Sequence, residues 1–183
     1  MLNHRFLVLL IASFLFVLPP TAVKAKVIPV SCSTDSLIAA INHANSIGGA
    51  NTLDLAARCV YTIIDTVNEG DRGNNGLPQI TSDITVIGNN AVILRGDTTV
   101  EVRFFQVNTG AALKLEQVTL YKGGVDSLTS DGGAVNILEG GQLTLEHCTL
   151  IRNYAGCGGA INSAKGTIVN ITDSFFTENS ADG

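Results

Sequence analysis

The sequence predicts an all-β chain wound as a parallel β-helix and closed at one end by an amphipathic α-helix. Three observations carry this reading: a self-similarity that recurs every 26 to 30 residues, apolar side chains alternating at period two within each repeat, and a single stretch of helical periodicity ahead of the repeats. A repeat of that length holds several short strands. It cannot bury its inner face alone and is stabilised by stacking on its neighbours. The Leu-x-x-Leu-x-Leu-x-x-Asn spacing of leucine-rich repeats is absent. Glycine pairs and the Thr and Val content disfavour helical repeats.

The chain opens with Asn3, His4 and Arg5, followed by an uncharged apolar run from Phe6 to Leu18 and the small-residue ending Val23-Lys24-Ala25. A helix of that run would span only ~20 Å, short of the ~30 Å bilayer core. Residues 1–25 therefore read as a cleaved export signal rather than an anchor, which places the mature chain outside the cell or on its surface, with no membrane span left. Of 183 residues, 45% are hydrophobic and 15% charged, which excludes a long disordered tail. An aromatic content of 5% without tryptophan requires a core of Val, Ile, Leu and small residues. The formal net charge of −5 becomes more negative when Arg5 and Lys24 leave with the signal, so nucleic acid is not an expected partner.

Residues 26–76 are expected to form an N-terminal cap with a helix at 33–47 and the first strands. Ser33 or Thr34 caps the helix, Asp35 sits where the dipole favours an anion, and Gly48-Gly49 follow its end. Leu37, Ile38, Ile41 and Ala44 share one stripe. A lone helix of this length is marginal, so it must lie on something apolar, and the open first coil supplies that surface. Cys32 and Cys59 bracket the helix. In an exported chain they are expected to pair, closing a loop of about 28 residues worth roughly 3.5 kcal/mol in the chain-entropy model. Cys148 and Cys157 leave two readings, a second disulfide or, for Cys148, a small buried side chain. No Cys-x-x-Cys pair exists and the histidines do not cluster, so no structural metal site is expected.

Residues 77–183 carry the coils. Leu113, Leu143 and Val169 hold one position of successive repeats, as do Leu115, Leu145 and Ile171, and Leu120, Leu150 and Phe176. Gly123, Asn153 and Asn179 follow the same spacing, and Gly132-Gly133-Ala134-Val135-Asn136 recurs as Gly158-Gly159-Ala160-Ile161-Asn162. Ile84 and Val86 precede Leu113 and Leu115, and Phe105 and Val107 precede Val135 and Ile137, making four turns of one pattern. The expected inward columns, stacked at ~4.8 Å, are Leu113/Leu143/Val169, Leu115/Leu145/Ile171, Val118/Cys148/Ser174 and Leu120/Leu150/Phe176. Asn179 to Gly183 matches Asn153 to Cys157, so the sequence stops before another Gly-Gly-Ala-Ile-Asn unit and reads as an incomplete set of coils.

Cys32-Ser33, Ser36-Leu37-Ile38-Ala39-Ala40-Ile41-Asn42, Asn51-Thr52-Leu53-Asp54-Leu55, Cys59-Val60-Tyr61-Thr62-Ile63 and Gly76-Leu77-Pro78, followed by the repeated units, resemble the start of bacterial secreted right-handed parallel β-helix proteins. These are similar to the pectin-lyase-like superfamily and polymorphic outer-membrane-protein repeats, and often begin with a CSLREA-like segment. The resemblance covers residues 32–183 and implies a right-handed winding. It says little of activity, because such folds serve lyases, hydrolases and adhesins alike. The Asn-Thr-Asp, Asp-Asp, Gly-His-Gly and Arg-x-Lys strings of the related hydrolases do not occur, so no catalytic residue is assigned.

The remaining candidates are contact residues. Glu116 and Glu146 stack one coil apart, either as a pair that binds calcium or as a solvated pair with Lys114 diagonal to it. Asp126 and Asp131 lie in the longest insertion, as ligand contacts or as turn residues. Apart from that possible calcium ion, no cofactor is expected. Thr119, Thr149 and Phe175 form an outward column too irregular for ice binding. The expected function is a non-catalytic secreted or cell-surface scaffold for adhesion or contact with a polysaccharide or cell-surface glycan. The alternative is the N-terminal part of a pectate-lyase-like or polygalacturonase-like enzyme.

Overall fold

The computed structural model describes residues 25–97, 100–125 and 129–182. Apart from Ala25, the expected leader lies outside them, as does Asp126. The described chain is a parallel β-solenoid of about five turns with one short helix near its start.

Strand β1 (Val27–Val30) runs parallel to β2 (Asn51–Leu55), and between them lies α1 (Thr34–Ile47). Ser33 is the N-cap: its backbone is extended and its hydroxyl accepts from the Ser36 N–H at 3.2 Å, satisfying a donor that the first helical turn leaves free. Gly48, with φ of 61°, ends the helix by donating its N–H to the Ala44 carbonyl. Leu37, Ala40, Ile41 and Ala44 are buried, and they join Leu53, Leu55, Tyr61 and Ile63 in one continuous core. The helix thus covers the apolar interior of the first coil, as its pattern predicts. Cys32 and Cys59 form a disulfide that ties the helix entry to the strand after β2.

The first coil continues through β3 (Val60–Ile63) and an antiparallel hairpin of β4 (Asn68–Gly70) and β5 (Gly73–Asn75). The second coil starts with the long, bulged β6 (Asp83–Arg95), which pairs with both β2 and β3, and ends with β7 (Phe105–Val107). The third holds β8 (Ala112–Tyr121) and β9 (Val135–Ile137). The fourth holds β10 (Gln142–Glu146), β11 (Thr149–Ile151), β12 (Tyr154–Ala155) and β13 (Ile161–Ser163). The last holds β14 (Ile168–Thr172), β15 (Phe175–Thr177) and β16 (Ser180–Ala181).

The expected columns are vertical neighbours. Leu143 pairs with Leu113 and Val169, Leu145 with Leu115 and Ile171, and Leu150 with Leu120 and Phe176. Ile84 lies over Leu113, Val86 over Leu115, and Phe105 over Val135. A further coil escapes the repeat pattern of the sequence: Leu53 stacks on Val86 and Tyr61 on Ile93. Its spacing to the next coil is longer than the regular repeat because the β4–β5 hairpin is inserted there.

Cys148 and Cys157 are both free, which corrects the reading that paired them. Cys148 points into the core, below Val118 and above Ser174, where its thiol donates to the Leu115 carbonyl; Cys157 is exposed on a loop. The small buried side chain is therefore the reading that holds.

Candidate functional site

The corners of the coils decide which side chains reach solvent. Ten non-glycine residues among those described have positive φ, and nine of them stand at two corners repeated from coil to coil. Arg58, Asn89, Asn90, Gln117, His147 and Asp173 turn the chain between the first and second strands. Lys122, Arg152 and Glu178 turn it after the second strand. A left-handed residue with a Cβ costs about 1–2 kcal/mol, so the stacked strands on either side must hold these conformations in place. The consequence is chemical. Where glycine would leave a bare corner, each coil projects a polar or charged side chain outward, and the two corner rows flank the outer face of β8, β11 and β15.

That face carries Thr119, Thr149 and Phe175 in one column and Tyr121, Ile151 and Thr177 in the next. At its second corner a charged and aromatic cluster forms. Arg152 donates from Nε to the Glu178 carboxylate at 2.6 Å and from Nη1 to the Tyr121 hydroxyl at 3.1 Å. The Lys122 ammonium lies 5.4 Å from the centre of the Tyr121 ring, and the Arg95 guanidinium 5.6 Å from that of Tyr154. Tyr154 donates its hydroxyl to Glu101 at 2.8 Å. Its ring lies against Gly124, where a Cβ would overlap a ring carbon, so glycine is required there. None of these groups follows from a motif; they converge because Lys122, Arg152 and Glu178 share a corner.

Glu116 and Glu146 do stack, in register. Lys114 lies between them, with its ammonium 2.7 Å from Glu146 and 3.7 Å from Glu116. The hydrogen bond to Glu146 holds the Lys114 ammonium above its ordinary pKa. The chain thus brings its own cation to the pair, and a calcium ion would have to displace it. Among the described residues no group of three or more His, Cys, Asp or Glu side chains is placed to hold a metal.

Asp131 is buried and pairs with Arg72 at 3.2 Å, at the tip of the β4–β5 hairpin. Next to it lies a residue the sequence did not announce. Arg103 is wholly buried, donating from Nη2 to the Asp71 carbonyl at 2.8 Å and from Nη1 to the Asp131 carbonyl. Burial lowers its pKa to about 10, partly offset by Asp131 and Asp71, so it stays charged at neutral pH and clamps the hairpin to the loop before β9. A column of amides backs this clamp: Gln106, Asn136 and Asn162 stack in register. Gln106 accepts from the Asp71 N–H, Asn136 donates to the Asp71 carbonyl, and Asn162 donates to Asn136. Asp131 therefore acts as a strut of the hairpin. Asn153 and Asn179 form a second ladder, their side-chain carbonyls accepting from the backbone N–H of Gly123 and Asn153 at 2.9 Å each.

The arrangement offers hydrogen bonds, charge and two tyrosine rings on an outer surface. The chain matches no protein-family model, no curated protein and no solved structure.

Proposed function

We propose that the chain is an exported or cell-surface, non-catalytic β-solenoid scaffold that contacts a polysaccharide or cell-surface glycan along the outer face of β8, β11 and β15. The observation that carries this reading is the pair of corner rows that flank the face and project one polar side chain per coil. Rungs ~4.8 Å apart place polar side chains at a regular spacing, which suits a ligand that is itself a repeating polymer. Sugars need this mixture: tyrosine rings for the apolar face of the ring, and hydroxyls, amides and cations for its oxygens. Tyr121, Arg152, Lys122 and Tyr154 supply it at one corner.

Export is supported by the composition of residues 1–25 and by the Cys32–Cys59 disulfide, which persists in an oxidising compartment. Among the described residues no helix is long and apolar enough to cross a membrane. The likeness of the segments from Cys32 onward to secreted pectin-lyase-like and outer-membrane-repeat proteins supports the same reading.

A glycan array probed with the full-length expression product tests it. Saturable binding to at least one polymer is expected, with a loss of at least tenfold in Tyr121→Ala/Arg152→Ala. Absence of binding to every polymer, or binding indifferent to that double change, overturns it.

A further inference from the structure

We infer that the outer edge of β3, together with the first turn of α1, is a docking groove for an extended polypeptide segment of a partner, one in which lysine or arginine alternates with aliphatic residues. The site lies at the N-terminal end, apart from the face proposed above.

The first observation is an unpaired edge. β1 covers β2, but the chain then turns into α1, and among the described residues no strand lies over β3, which pairs only with β6. The ladder to β6 uses the carbonyls of Cys59 and Ile63, which accept from Val92 and Gly96 at 2.8 Å each. By the alternation of a parallel pair, the backbone groups of Val60, Thr62 and Ile64 face the other way. The Thr62 carbonyl accepts from the Thr34 hydroxyl at 3.0 Å, which leaves the Val60, Thr62 and Ile64 N–H groups along the edge for an incoming strand.

The second observation is the groove itself. A cleft of about 320 Å³ separates the first turn of α1 from this edge, lined on one side by Thr34, Asp35 and Ile38 and on the other by Thr62, Ile64 and Asp65. Ile64, 66% exposed, and Val67, 39% exposed, give the cleft an apolar wall, and Val60, 51% exposed, extends the apolar surface along the edge. Strand addition draws its affinity from main-chain hydrogen bonds and its selectivity from pockets for alternate side chains, and both elements are present.

Charge decides the occupant. Asp35 and Asp65 line the cleft, and no lysine or arginine does. The dipole of α1 partly balances Asp35, leaving Asp65 at the exit as the stronger attractor for a cation. A second copy of this chain placed edge to edge would bring carboxylates against carboxylates. A basic, aliphatic partner strand meets opposite charge and apolar side chains together.

The probe is a fluorescent, end-capped heptapeptide of alternating valine and lysine, titrated against the full-length product. Saturable binding is expected, weakened at least tenfold when alternate peptide amides, in one register or the other, are N-methylated, because the methyl groups keep the peptide carbonyls away from the Val60, Thr62 and Ile64 N–H groups. Asp35→Lys/Asp65→Lys weakens it at least tenfold, while Glu116→Lys/Glu146→Lys on the distant face leaves it unchanged. Should the double variant fail to close the Cys32–Cys59 disulfide, Ile64→Lys, at an exposed position, gives the same loss. No saturable binding, indifference to N-methylation, or equal loss with the distant variant overturns the proposal. So does a dimer in sedimentation that Ile64→Lys dissolves, since a second copy would then be the occupant.

Discussion

The column that starts at Leu53 and the column that starts at Tyr61 are completely buried at the helix-covered end, whereas their last members, Ile171 and Phe176, are 48% and 43% exposed. The side chains are of the same kind and the strand register is continuous, so the difference comes from coverage alone. At the first coil α1 supplies a second apolar surface; at the last described coil only the preceding coil does. An inner residue of a solenoid owes its burial to both vertical neighbours, and stability accumulates at interfaces between coils rather than within them.

The sharpest test of this difference replaces the same kind of residue in the middle and at the edge of one column. Leu115→Ala is expected to cost about 3 kcal/mol in urea unfolding, since both neighbours pack on the lost methyls, and Ile171→Ala under about 1 kcal/mol. Equal losses would mean that the columns are not the unit of packing. A smaller effect of opposite sign is expected at the corners. Gln117→Gly relieves a left-handed side chain at an exposed position while adding backbone entropy to the unfolded chain, for a net gain of about 0.5 kcal/mol in unfolding free energy. A loss would show that the Gln117 side chain holds its corner.

The least effect separates the two free thiols. Ellman's reagent should titrate Cys157 in the native chain and Cys148 only after unfolding. Burial raises the Cys148 pKa above its usual 9.0, against weaker hydrogen bonds from its backbone surroundings. A thiol held neutral contributes no penalty below the unfolded pKa, and as pH rises above that value the unfolded chain ionises first, so the native state loses stability until the folded pKa is reached. Above about pH 9 the native chain should therefore lose stability faster than Cys148→Ala; parallel pH profiles would contradict it.

The inner columns were legible because strands write themselves at period two and coils at the length of one repeat, so Leu113, Leu143 and Val169 name one another. α1 was legible from Ser33, Asp35 and Gly48. Most of what remained hidden depends on groups distant in sequence. Arg103 reads as an ordinary charged residue until the Asp71 and Asp131 carbonyls close on it. Gln117, His147 and Arg152 carry no glycine signal, although each takes a conformation usually left to glycine. The repeat places Lys114 diagonal to the Glu116 and Glu146 pair, but only the folded chain brings its ammonium between the two carboxylates. The β4–β5 hairpin masked the first coil by lengthening its spacing.

The left-handed corners carry a further implication. Because those positions are constrained by backbone angle and hardly at all by volume, the identity of what they bear is almost free, and Lys122, Arg152 and Glu178 occupy one such row with both signs of charge. A lineage of such chains could repaint its exterior rung by rung, altering what it recognises without disturbing the winding beneath.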